Sequence, residues 1–353
     1  MIRPVGWLAM GLAVTGLAAM LLLTGCQRGP EKQKLYFYTW ADYIDENTVR
    51  EFEEAYHCEV VFDYFDSNES MLAKLKAENI GYDVILPTTY MVEIMKREGM
   101  IRPLDHAKIP NAVKGIDRRL AAKVGDENLE YSVPYYIGLT AFGYNAEKLG
   151  KAPDSWRIYE NTALAGRMTL LEDMRAVIGA ALITLGYDMN SVDPRQLEEA
   201  RDLVIRWKAN IAKFGVDDVK QGLASGEFFV VQGYSGDILQ FTVEDPNIRL
   251  AIPKEGTILA IDHFVIPTNA SNPELAYQFI NFMCDPKNAG RNLERTQYLV
   301  PIEGVQNYVS EAMKSSPIFL ISDKEFERAQ LTQDLGTDIE KFSAIWDQIK
   351  AAH

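Results

Sequence analysis

Leu35-Tyr36-Phe37-Tyr38-Thr39-Trp40-Ala41-Asp42-Tyr43 has two halves. The first, through Thr39, is aromatic and β-prone and reads as a buried strand. The second sets an indole, a carboxylate and a phenol within four residues as the chain leaves that strand. In an open α/β sheet, ligands bind beyond the carboxyl ends of strands. Aromatic faces beside a carboxylate suit an alkyl cation. The same residues also suit plain packing beneath a loop, so the rest of the chain decides between the two.

Outward from this stretch, the segments alternate. Asp45 suits a helix N-cap, with Val49, Phe52 and Tyr56 as an apolar stripe behind it. Residues 58–64 read as a strand. Asp66-x-x-Glu69 has capping-box spacing ahead of Met71, Leu72 and Leu75. Residues 82–86 read as a buried strand halted by Pro87, and Thr88-Thr89-Tyr90 leads into a helix that ends before Gly99. Strand alternating with helix predicts a parallel sheet covered by helices. Farther on, residues 131–136 read as a strand leading to a crossover, and 141–145 as the first strand of a second lobe. Residues 168–171, 228–232 and 259–267 read as strands. Residues 198–214, 274–284 and 339–349 read as amphipathic helices. Four strand exits carry aromatic or acidic residues: 40–43, 88–90, 172–173 and 234–237. Exits of this kind gather at one edge of a sheet, and two lobes facing each other would bring them together.

At 353 residues, two domains are the natural expectation. Net charge is −14, which argues against nucleic acid as a partner, because that affinity rests on cations. Arg3 is followed by an uncharged run over 5–23 and then Leu23-Thr24-Gly25-Cys26. This resembles a bacterial lipoprotein signal, with residues 1–25 removed, Cys26 lipidated and residues 26–34 as a tether. A plain secretory signal and an uncleaved anchor are the other readings. All three place the remaining chain outside the cytoplasmic membrane, periplasmic or at the cell surface. Cys58 and Cys284 are the only other cysteines; each sits at the end of an apolar segment, so buried free thiols are expected. His57, His106, His263 and His353 are scattered, without metal-ligand spacing.

Taken in order, several blocks resemble the bacterial spermidine/putrescine-binding proteins, the extracytoplasmic receptors of polyamine ABC transporters. They are residues 35–40 with Tyr43, Ser67-Asn68-Glu69-Ser70-Met71, Tyr82-Asp83-Val84, Pro87-Thr88-Thr89-Tyr90, Glu98-Gly99-Met100-Ile101, residues 131–135, Ser155-Trp156, Pro253-Lys254-Glu255-Gly256 and Ile280-Asn281-Phe282. The resemblance spans the chain beyond the signal. It implies an α/β, two-lobed, type II periplasmic-binding-protein-like fold with crossover hinge strands. Crossings near 140, 260 and 306 would give one lobe from 35–140 plus 261–306 and another from 141–260 plus 307–353. It also implies closure over a polyamine, delivery to an ABC transporter permease, and no cofactor. By position, the ligand residues it implies are Trp40, Asp42, Tyr43, Thr88, Tyr90, Asp173, Tyr234, Asp237, Asp262 and Tyr298. The family pattern is broken at Ala41, Ala176 and Ala260, which stand where a small hydroxyl residue, a Glu and an aromatic are usual.

The residue types fit that chemistry. A polyamine is two or more ammonium groups separated by methylenes, so its receptor needs spaced carboxylates and aromatic faces. Each cation–π contact is worth about 0.5–2 kcal/mol. Asp173 and Asp237 also sit where N-caps belong, which alone could explain them. Asp262 inside an apolar strand is harder to explain structurally, because a buried carboxylate is costly when unpaired. Gly233-Tyr234-Ser235-Gly236-Asp237 with Asp262 and His263 suggests a serine hydrolase. However, G-x-S-x-G needs Gly where Asp237 stands. Neighbours on one strand face opposite ways, so Asp262 could not orient His263. A polyamine sensor or surface interaction lipoprotein not coupled to transport is the remaining alternative.

Overall fold

The computed structural model describes residues 32–77, 81–118, 126, 128–215, 218–316, 319 and 323–352. The predicted signal segment, Cys26 and the tether up to residue 31 lie outside the described residues.

β1 (Gln33–Thr39) is the strand that the aromatic stretch predicts. Its two faces are both buried, because side chains alternate across a strand. Leu35 and Phe37 enter one hydrophobic cluster, while Tyr36 and Tyr38 enter another. Phe37 lies 5.1 Å from Phe279 and 6.1 Å from Phe264, centroid to centroid. Such tilted ring pairs add about 0.5–1.5 kcal/mol each beyond area burial. Asp45 caps helix Glu46–Tyr56, accepting from Thr48 N at 2.8 Å. β2 (Cys58–Tyr64) and β3 (Val84–Ile85) flank β1, with β3 parallel to it. β3 is shorter than the run over 82–86 suggests. The expected capping box does not form either. Ser67 Oγ accepts from Ser70 N at 3.1 Å ahead of helix Asn68–Ala77, leaving Glu69 free for another partner. Helix Thr89–Arg97 does end ahead of Gly99, whose φ of +68° suits glycine.

β4 (Val133–Asn145) is one buried strand of 13 residues, where the sequence predicts two. Pro134 and the glycines suggest breaks. Pro134 instead sits at a register irregularity in the pairing, where its missing N–H is tolerated. β5 (Met168–Leu170), β6 (Ile211–Phe214), β7 (Val230–Tyr234), β8 (Ile248–Ala251), β9 (Thr257–Phe264) and β10 (Ala329–Leu331) complete a seven-stranded mixed sheet. Its order is β10-β9-β4-β7-β5-β6, with β8 also on β4. The helix expected over 198–214 is two elements. Asp193 caps helix Pro194–Lys208, and β6 follows. Asp173 caps helix Met174–Thr184. Asp237 is not a cap: helix Ser235–Glu244 begins two residues before it, which puts Asp237 inside the first turn.

Two main hydrophobic clusters hold the fold. One gathers Leu35, Phe37, Phe52, Tyr135, Phe264 and Phe279; the other gathers Phe142, Trp156, Val177, Trp207, Val230 and Phe342. β4 contributes to both, through Tyr135 and Phe142, and β9 does so through Phe264 and Ile258. Between them, Ile137 and Leu139 pack on Leu259 and Ile261 in a small cluster of their own. Residues 140 and 260 lie inside the neighbouring strands β4 and β9. Val309 and Met313, beyond residue 306, pack in the first cluster. Cys58 and Cys284 are buried thiols that form no disulfide among the described residues.

Candidate ligand site

The residues singled out in the sequence come from the chain after β1, β3 and β5, from the end of β7 onward, from β9, and from the segment after helix Pro286–Thr296. Four phenols each donate to a carboxylate. Tyr43 Oη donates to Asp262 Oδ2 at 2.6 Å and Tyr298 Oη to Asp237 Oδ1 at 3.1 Å. Tyr234 Oη donates to Asp173 Oδ2 at 2.8 Å and Tyr90 Oη to Glu69 Oε1 at 2.9 Å. The Tyr43 ring contacts those of Tyr136 and Tyr298 edge-on, at 4.7 Å and 4.9 Å. Thr88 forms an antiparallel bridge with Asp262, reinforced by His263 N donating to Pro87 O at 2.8 Å. Thr88 Oγ1 accepts from Asn68 Nδ2 at 2.7 Å.

The surroundings set the electrostatics. Burial pushes the Asp262 carboxyl up to about 7, while the Tyr43 hydrogen bond pulls the other way. Its Oδ1 is buried and has no hydrogen-bond partner among the described residues. A buried carboxylate oxygen left without a donor destabilises the fold unless the group is protonated or a cation reaches it. Burial also raises the Tyr43 and Tyr298 phenols, each helped by the neighbouring carboxylate. They therefore stay protonated and remain donors.

Asp262 and His263 turn to opposite sides of β9. The His263 ring lies within hydrogen-bond reach of Thr89 Oγ1, at 3.0 Å, and Ser132 Oγ, at 3.1 Å. Burial lowers its pKa to about 3, so it stays neutral.

Other residues stand differently. Trp40 is half-buried: its indole N–H donates to Leu86 O at 3.0 Å and its ring packs on Phe65 at 4.4 Å. Asp42 stands apart, exposed and in the left-handed region, on the side of Tyr64, whose pKa its charge helps to raise. Ala176 is buried; its N–H donates to Asp173 Oδ1 and its carbonyl accepts from Gln232 Nε2. Arg175 lies near Asp173, but its guanidinium donates to Gln333 O and Asn190 Oδ1 and faces the Phe342 ring.

Glu69 and Tyr136 contact the candidate residues Tyr90 and Tyr43, and the residue-by-residue reading misses both. Glu69 has helix-cap spacing, which hides it, and Tyr136 looks like one more strand aromatic. The signal for Glu69 lies in pairing: every other candidate carboxylate except exposed Asp42 has a tyrosine partner.

The arrangement sets tyrosine-paired carboxylates beside aromatic rings, a chemistry suited to a small cationic molecule. The chain belongs to the bacterial extracellular solute-binding proteins, whose family model matches residues 47–320. It is 32% identical over 348 residues to a putrescine/cadaverine-binding protein of Pseudomonas aeruginosa, covering 95% of this chain and 98% of the relative. It is 29% identical over 346 residues to the spermidine/putrescine-binding periplasmic protein of Escherichia coli, covering 98% and 97%. Among solved structures, a lipoprotein of Treponema pallidum superposes with a TM-score of 0.82 at 34% identity, covering 90% of this chain and 99% of that one. A spermidine/putrescine ABC transporter substrate-binding protein of Streptococcus pneumoniae superposes with a TM-score of 0.80 at 31% identity, covering 90% and 99%. These likenesses give the type II fold of periplasmic solute-binding proteins, a family of binding proteins rather than of enzymes.

Proposed function

We propose that the protein captures a di- or triamine such as putrescine or spermidine and hands it to an ABC transporter permease. The observation that carries this reading is the unpartnered Asp262 Oδ1, buried beside Tyr43, Tyr136 and Thr88. An ammonium group satisfies that oxygen through a charge-assisted hydrogen bond, while the methylenes lie against aromatic faces. Asp173 and Asp237 accept at the other ammonium positions, with Tyr234 and Tyr298 orienting them. Trp40, Thr88 and Tyr90 line the remaining wall, and Asp42 at the exposed turn adds charge at the entrance. The printed functions of the relatives, polyamine binding in each case, support the ligand class.

One lobe comprises 35–140 and the chain from 261 to beyond Met313, and the other comprises 141–260 and the C-terminal remainder. Ligand closes them about the β4–β9 crossing by hinge motion. Ala176 and Ala260 leave the site less acidic and roomier than the family pattern. Cys26 carries a lipid that tethers the protein outside the cytoplasmic membrane, in keeping with the lipoprotein among its structural neighbours. Titration calorimetry of the purified protein against putrescine, spermidine, spermine, amino acids and sugars tests the reading. Heat with one or more polyamines is expected; heat only with amino acids or sugars, or none at all, contradicts it.

A further inference from the structure

Gly236, in the first turn of helix Ser235–Glu244, has no backbone reason to be glycine. Its φ is not in the left-handed region, and alanine is the better helix former. Space explains it. A Cβ at Gly236 would lie 2.3 Å from Tyr298 Cδ2, 2.4 Å from Cε2 and 2.5 Å from Cγ. These atoms are the root and flank of a ring, and they cannot step aside as a flexible chain end would. The ring is also confined elsewhere. A Cβ at Gly138 would lie 3.1 Å from Tyr298 Cε1, and the Tyr43 ring stands 4.9 Å away. The backbone beside it is pinned, since Ile137 N donates to Leu299 O at 2.8 Å and Gln240 Nε2 to Thr296 O at 2.9 Å. Tyr298 is 5% exposed, so the ring has no solvent side to retreat to.

We propose that Gly236 is a positioning residue whose missing side chain seats Tyr298, with Gly138 as the opposite wall of the seat. Seated there, Tyr298 does two things at once. Its phenol donates to Asp237, and its ring braces Tyr43, which donates to Asp262. One ring thus fixes the relation between two carboxylates that stand 25 positions apart in sequence, and Gly236 acts on the ligand only through that ring. The effect on ligand affinity rests on the polyamine reading; the seating itself does not.

A double-mutant cycle in the full chain tests it, using Gly236→Ala, Tyr298→Ala and the double variant. Two quantities are measured: the thermal midpoint without ligand, and affinity for putrescine and spermidine. With Tyr298 present, Gly236→Ala is expected to lower the midpoint and weaken binding by about tenfold. With Tyr298→Ala, the same change is expected to cost no midpoint and no affinity beyond that of Tyr298→Ala alone. The midpoint rises slightly there, because alanine favours the helix. If Gly236→Ala does not fold alone, its rescue by Tyr298→Ala makes the same point. Equal losses in both backgrounds overturn the proposal. So does a Gly236→Ala protein as stable and as tight-binding as the parent. If the parent binds no polyamine, the ligand reading fails, while the thermal cycle still decides the seating.

Discussion

Among the described residues, Asp173 accepts three hydrogen bonds and Asp262 accepts one. At Asp173, Oδ1 takes the N–H groups of Arg175 and Ala176, at 2.8 Å and 3.0 Å, and Oδ2 takes the Tyr234 phenol. At Asp262, Oδ2 takes the Tyr43 phenol and Oδ1 takes no hydrogen bond from the described residues. The first carboxylate is committed to a helix terminus and shares its remaining capacity. The second is held inside a strand at a cost to the fold, a cost that the proposed ammonium partner would relieve. An acidic residue at a strand exit can therefore be architecture first, while one within a strand calls for an external partner.

Replacing Asp262 breaks the contrast most sharply. Asp262→Asn keeps the shape and still offers Tyr43 an acceptor, but it removes the charge. Polyamine affinity should fall by at least about tenfold, the scale of a lost charge-assisted hydrogen bond, as read by calorimetry. The sign for stability is the opposite. The folded Asp262 carboxyl stands at about 7 against an ordinary value of 3.8, so the folded protein holds a proton that the unfolded chain has released. Stability without ligand should then fall as pH climbs from about 4 to about 7 and level off above, as chemical denaturation would show. Asp262→Asn should lose that slope and be more stable than the parent at pH 8 when no ligand is present.

Asp173 should behave the other way. Asp173→Ala removes a cap and strands the Tyr234 phenol, so stability should drop by about 1–3 kcal/mol in denaturant titrations. Asp173→Asn, itself a good cap, should recover most of it. Its affinity loss should be smaller than that of Asp262→Asn, because Asp173 has less capacity left for a ligand. An affinity loss as large as that of Asp262→Asn would erase the distinction between the two residues.

Much of this was legible in sequence where a local rule settles the matter. β1 followed from its aromatic run, Asp45 and Asp173 from cap chemistry, and the buried thiols from their apolar settings. Two elements were misjudged because local signals compete with long-range pairing. Pro134 and Gly138 suggest a broken strand, yet β9 pairs across both. The helical pattern over 198–214 runs past Lys208, where pairing with β5 draws Ile211 to Phe214 into a strand. In the candidate site, the sequence offers single residues but not their partnerships. Glu69 and Tyr90 stand 21 positions apart, and no spacing rule joins them. Gly236 carries no signal at all until the Tyr298 ring is placed against it.

Proton release on binding tests the central claim, that Asp262 is the carboxylate waiting for an ammonium group. An ammonium beside Asp262 Oδ1 lowers its pKa, so a proton held near pH 7 must leave. Calorimetry in two buffers of different ionisation enthalpy counts that proton. The account predicts release of about half a proton per polyamine at pH 7, since a group with a pKa near 7 is half protonated there. Release should vanish above about pH 9 and be absent at every pH in Asp262→Asn. Polyamine binding with no proton release between pH 6 and 7.5, or the same release in Asp262→Asn, would contradict it.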